Sequence, residues 1–123
     1  MLWLFEHHYR PTFDATDVRQ GSVEDVIGSF PTDSVDATAA VAVLAHIHPS
    51  SEFVFDELVR VTADILVTIE NERTDDRVFF PRNYADVFES RGCKQIHVVD
   101  SGLVHDRTSL SDNCVARVFD VDP

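Results

Sequence analysis

The spacing of apolar positions changes period several times along the chain, and each change marks an element. Asp17-Val18-Arg19-Gln20 reads as a short extended piece that stops at Gly21. Ser22 then has the chemistry of a helix cap, with Asp25 three residues on in the reciprocal position of a capping box. Val23, Val26 and Ile27 give this short helix its apolar side, and Gly28 ends it. Residues 35–44 form a near-continuous run of small and branched apolar side chains, which suits a strand buried on both faces. A helix is predicted to start at Pro49-Ser50-Ser51, with Val54, Phe55, Leu58, Val59 and Val61 as its stripe. Residues 65–69 are a second buried strand. Pro81 and Gly92 bracket another helix, packed through Tyr84, Val87 and Phe88. Residues 95–99 and 115–121 complete the set as two further strands, joined through 102–113 without an obvious helix and so able to pair antiparallel.

Strands alternating with helices predict an α/β sheet, mostly parallel, with an antiparallel terminal strand and helices on its faces. Residues 1–16 are set apart. They open apolar and aromatic, turn polar at Glu6, and break at Pro11, which suits an edge strand or a poorly packed start.

At 123 residues the chain is the size of one domain, and 44% apolar content allows a real core. The charge is lopsided: 22 acids stand against 10 bases, for a net charge of −12. That excludes recognition of nucleic acid through a basic patch and attraction to anionic membranes. Fifteen of the acids are Asp, and nine of the ten bases are Arg. A folded core inside so acidic a shell points to a halophilic, cytoplasmic setting, where salt screens the self-repulsion. No apolar run reaches 18 residues, and no basic-then-apolar leader is evident, so neither a transmembrane helix nor a signal peptide is expected.

In open parallel sheets, ligands bind beyond the carboxyl ends of the strands. Three segments fall there: 21–25, 42–49 and Glu70-Asn71-Glu72. His46-x-His48 has the form of a metal pair, but zinc takes three or four ligands and no third is spaced to join them. Glu70 and Glu72 could supply a general base, since paired carboxylates raise one another's pKa. In so acidic a chain they read more simply as a solvated strand end. Cys93 and Cys114 read as structural thiols rather than nucleophiles. Phe79 and Phe80 stand out because loop aromatics have less reason to be buried.

Two segments together carry a family resemblance. Phe30-Pro31-Thr32-Asp33-Ser34-Val35-Asp36 followed by Val41-Ala42-Val43-Leu44-Ala45-His46-Ile47 resembles the class I S-adenosylmethionine-dependent methyltransferases, whose pattern is a Pro-x-x-Ser-Phe-Asp turn, a buried strand and a Leu-x-His-Ile segment. Gly21-Ser22-Val23-Glu24 is similar to their Gly-Asp-Ala-Glu segment. The resemblance runs over 17–123 and implies the C-terminal part of a Rossmann-like methyltransferase. The family's glycine-rich loop is missing: the four glycines, Gly21, Gly28, Gly92 and Gly102, are too far apart to build it. The acid that holds the ribose is missing as well.

The resemblance implies S-adenosylmethionine as cofactor and Ser22, Val23, Glu24, Ala42, Val43 and His46 as its contacts. Val23 would offer backbone to the adenine ring, and Ser22 stands where an Asp accepts from the adenine amine. Ala42 and Val43 would line the methionine end, and His46 would face the substrate. Without the glycine loop, the expectation is a truncated or partner-dependent protein with weak or no cofactor binding. The alternative is a non-catalytic binding or regulatory module, or an oligomerising remnant. Losing two central strands would leave a raw sheet edge and an exposed apolar face, so a homodimer or a complementing subunit is expected.

Overall fold

The computed structural model describes residues 7–100 and 113–123. Four strands form one mixed sheet: β1 (Val35–Val41), β2 (Thr62–Asn71), β3 (Lys94–Asp100) and β4 (Cys114–Asp120). Their order is β1-β2-β4-β3. β1 and β2 run parallel, and β4 lies antiparallel between β2 and β3. Three strands therefore point one way and the terminal strand points the other, as the alternating pattern implies. The last two strands do pair antiparallel.

Among the helices that lie wholly within the described residues are α1 (Arg10–Asp14), α2 (Val23–Val26), α3 (Phe53–Val61) and α4 (Tyr84–Glu89). α1 lies within the set-apart segment 1–16; Pro11 sits in its first turn and it buries nothing, and the apolar start, where an edge strand or a poorly packed start is expected, lies outside the described residues. Asp17-Val18-Arg19-Gln20 is coil rather than strand. α2 is capped by Ser22, whose Oγ accepts from the Asp25 N–H at 3.3 Å. A 3₁₀ turn at Pro49–Ser51 precedes α3, so the α-helix begins later than its Pro-Ser-Ser signal. The last helix starts behind Asn83, whose side chain caps the Asp86 N–H, and not at Pro81. Gly92 follows it at φ +89°, a conformation that favours glycine. Residues 1–6 and 101–112 lie outside the described residues.

α3 places Val54, Phe55, Leu58 and Val61 on one buried stripe. They meet Tyr84 and Phe88 of α4 and Leu66 and Phe119 of the sheet. Phe88 is the hub, 5.9 Å from Phe55 and 5.3 Å from Phe119 between ring centres. Burying each such ring is worth roughly 1.5–3 kcal/mol.

The other face of the sheet is different. Ala39, Val67 and Val118 form one cross-strand row, and Val41, Ile69, Ala116 and Val99 another. None of them belongs to the core or packs against it. Val41 is 54% exposed and Val99 43%. The run at 35–44 was expected to be buried on both faces; in β1 only Ala40 is buried, because β1 is an edge strand whose outward row no described helix covers. No described helix is long and apolar enough to cross a membrane.

Candidate functional site at the carboxyl end of β1

β1 and β2 end on the same side of the sheet, and the chain leaving β1 turns sharply there. Ala42 adopts φ +55°, a left-handed conformation that costs an L-residue roughly 1–2 kcal/mol. Its N–H still donates to the Ile69 carbonyl at 2.9 Å. The next residues fold into a 3₁₀ turn, Leu44–His46, around the side chain of Glu70.

Glu70 is fully buried. Its Oε2 accepts from the Val43 N–H and its Oε1 from the Ala45 N–H, both at 3.1 Å. Burial raises its pKa, while these backbone donors and nearby His46 pull it back. The simple reading of Glu70 as part of a solvated strand end is thus overturned. The signal was present in the sequence: period-2 alternation puts Glu70 on the same inward face as Leu66 and Thr68. Tyr84 lies beside it, also fully buried, and its pKa rises first through burial and then through the Glu70 charge.

The segment at 78–82 closes over the same turn from the other side. Phe80 N–H donates to the Ala45 carbonyl at 2.8 Å, and Arg82 Nη2 donates to the Ile47 carbonyl at 2.8 Å. His46 Nδ1 donates to the Val78 carbonyl at 2.6 Å, which puts the proton of the neutral ring on Nδ1. The His46 ring lies 4.7 Å from Phe79, and His48 lies edge-on to Phe80 at 5.3 Å. The loop aromatics are packing partners of the two histidines. No group of three or more side chains suited to a metal ion occurs among the described residues. Cys93 is a buried free thiol whose pKa burial raises, which does not make a nucleophile.

A groove of about 470 Å³ runs along the edge of β1. Val23, Val26, Ile27 and Phe30 form one wall, Thr38, Ala39 and Ala40 the floor, and Val43, Leu44 and Leu58 the far end. Ser22, Val23 and Val43 of the candidate cofactor residues line it together. Glu24, Ala42 and His46 do not. Glu24 sits in the first turn of α2, Ala42 is exposed at the strained turn, and His46 turns away towards Val78 and Phe79. Two charged residues reach the groove, Asp17 and Arg19, and they pair with each other at 3.1 Å.

No protein-family model matches the sequence, and no curated protein does either. Solved structures do match. One is a SAM-dependent methyltransferase from Aquifex aeolicus, with 14% identity and a TM-score of 0.63, covering 98% of this chain and 62% of that one. Another is a chain of the complex between the Haloferax volcanii Trm112 methyltransferase activator and a protein described as a putative methyltransferase, with 13% identity and a TM-score of 0.61, covering 92% of this chain and 67% of that one. This chain spans less than two thirds of the Aquifex protein's length. Its four strands and their helices are arranged as in those enzymes: the chain has a methyltransferase-like α/β fold.

Proposed function

We propose that the chain is the C-terminal part of a SAM-dependent methyltransferase, with the groove beside β1 as one wall of the cofactor site. The observation that carries this is the groove itself, an apolar trough at the carboxyl end of a parallel strand pair, where such folds bind ligands. Ser22 and Val23 are its adenine-side wall and Val43 its methionine end, with Glu24 and Ala42 as flanking backbone and His46 on the acceptor side.

The fit to the cofactor is partial. The described residues offer an apolar wall of suitable size. They offer no glycine-rich cradle, and the acid at the groove, Asp17, is engaged with Arg19. No methyl-transfer step is assigned to this chain alone. The rest of the site is supplied by polypeptide lying against the β1 edge and the bare apolar face, from a partner subunit, a second copy, or a further stretch of the same polypeptide. The Haloferax structure contains a methyltransferase activator, which makes partner dependence a reasonable expectation here.

The outer face, which no described helix covers, also supports a second reading, an oligomerising or regulatory module without catalysis. Calorimetry of the chain with S-adenosylmethionine and S-adenosylhomocysteine separates the two. The methyltransferase reading expects weak binding, with a Kd near or above about 1 mM, as a single wall provides. Saturable micromolar binding would contradict partner dependence, and no binding at millimolar ligand would favour the second reading. The acidic shell fits a halophilic, cytoplasmic protein, which a salt series tests below.

A further inference from the structure

The turn leaving β1 is strained at Ala42, and its carbonyls and its amides are held from different sides. Ala42 is tied to β2 by one backbone bond, and the next two amides that face inward, Val43 and Ala45, find no carbonyl. Both find the carboxylate of Glu70, one on each oxygen. Strained turns persist where the surroundings over-determine them: here the 78–82 segment holds the turn's carbonyls, and Glu70 holds its two inward amides. Val43 lines the groove, and His46 ends the same 3₁₀ turn.

We infer that Glu70 is a positioning residue, whose carboxylate acts through the Val43 and Ala45 N–H groups to set the turn that walls the groove and presents His46. The importance of the groove rests on the function proposed above; the positioning itself does not. Two acceptor oxygens are needed for two donors. A proton on either oxygen turns it into a donor and leaves one amide without a good partner. Among the described residues, the ionisable groups around Glu70 are His46 on the turn and Tyr84 on α4; Arg82 and Glu72 act in turn on Tyr84, and Glu72 is held by the Arg117 fork.

The test is backbone and side-chain NMR of the whole chain without ligand, so that failure of the groove's proposed cofactor role cannot affect it. In the unmodified protein, the Val43 and Ala45 amide shifts should follow one shared titration with the Glu70 carboxyl carbon, its midpoint above the ordinary carboxylate range. In Glu70→Gln, which keeps one acceptor oxygen, that shared titration should vanish. One of the two amides should exchange with solvent at least about tenfold faster, while Leu66 in the sheet keeps its protection. Two outcomes overturn the inference. In one, the two amides show no common titration in the unmodified protein. In the other, Glu70→Gln accelerates exchange throughout the sheet, which would make Glu70 a general core residue. The titration of the unmodified protein decides the matter even if the variant fails to fold.

Discussion

Arg117 on β4 grips Glu72 at the end of β2 with two prongs: Nε donates to Oε2 at 2.8 Å and Nη2 to Oε1 at 2.9 Å. The two side chains are only 11% and 6% exposed. Arg117 Nη1 donates onward to Gln95 on β3 at 2.7 Å. One guanidinium thus ties together the three strands β2, β4 and β3. Glu70 on β2 and Glu72 just past its end have separate tasks, one clamping a backbone turn and the other locking the sheet.

Because the pair is nearly buried, removing one partner leaves an unpaired charge. Arg117→Ala is expected to lose about 3–5 kcal/mol of stability. Arg117→Lys should also lose stability, because an ammonium cannot reproduce the fork. Urea denaturation of both variants checks this. A loss below about 1 kcal/mol for Arg117→Ala would mean that the pair behaves as a surface bridge.

The strained turn makes its own prediction. Ala42→Gly relieves a positive φ in a residue that is exposed and contributes no core packing. It should raise stability, by up to about 1 kcal/mol once glycine's greater unfolded-state freedom is offset. A destabilised variant would show that the Ala42 backbone is held without strain.

The pH dependence of Glu70 has a definite sign. Burial raises its folded pKa above the ordinary 4.5, so the folded chain holds that proton more tightly than the unfolded one. Its contribution to stability is fully present below about pH 4.5 and is lost as pH rises through the folded pKa. The stability difference between the unmodified protein and Glu70→Gln should therefore shift against the unmodified protein as pH climbs through that window. Urea titrations of both proteins at several pH values measure it. A shift in the other direction would mean that the two backbone donors outweigh burial.

With a net charge of −12, the chain repels itself, and salt screens that repulsion. Between about 0.1 M and about 1 M the screening length falls from about 10 Å to about 3 Å. Its melting temperature is expected to rise across a KCl series in that range. A flat or falling series would remove the halophilic reading.

Where apolar periodicity was strong, the sequence was a good guide to the fold. The stripe Val54, Phe55, Leu58, Val61 marked α3, and the β-branched run at 65–69 marked β2. Insertion of β4 between β2 and β3 was not legible, because period-2 patterning fixes faces and not neighbours. Asp17-Val18-Arg19-Gln20 reads as extended and has no strand to pair with among the described residues. Ser22, Val23 and Val43 could be picked out as candidates by motif, but their sharing of one groove depends on how α2 sits against the β1 edge. Glu70 was hidden by its company: among 22 acids, a buried one looks like the rest until the alternation of its strand is followed to the end.

The bare face gives a further prediction. Val41→Lys lies on the exposed outer row of the edge strand, so it should change the stability of the chain alone by less than about 0.5 kcal/mol. If a partner layer covers that row, the same change should abolish association, as read by light scattering in high salt. Association that survives the lysine would place the contact elsewhere.

The most direct test of the central claim is NMR mapping of S-adenosylhomocysteine on the isolated chain at millimolar ligand. Shift changes centred on Ser22, Val23 and Val43, and reaching the β1 edge at Ala39, are the expected result. Changes confined to another surface, or none at all, would contradict the assignment of the groove as one wall of a methyltransferase cofactor site.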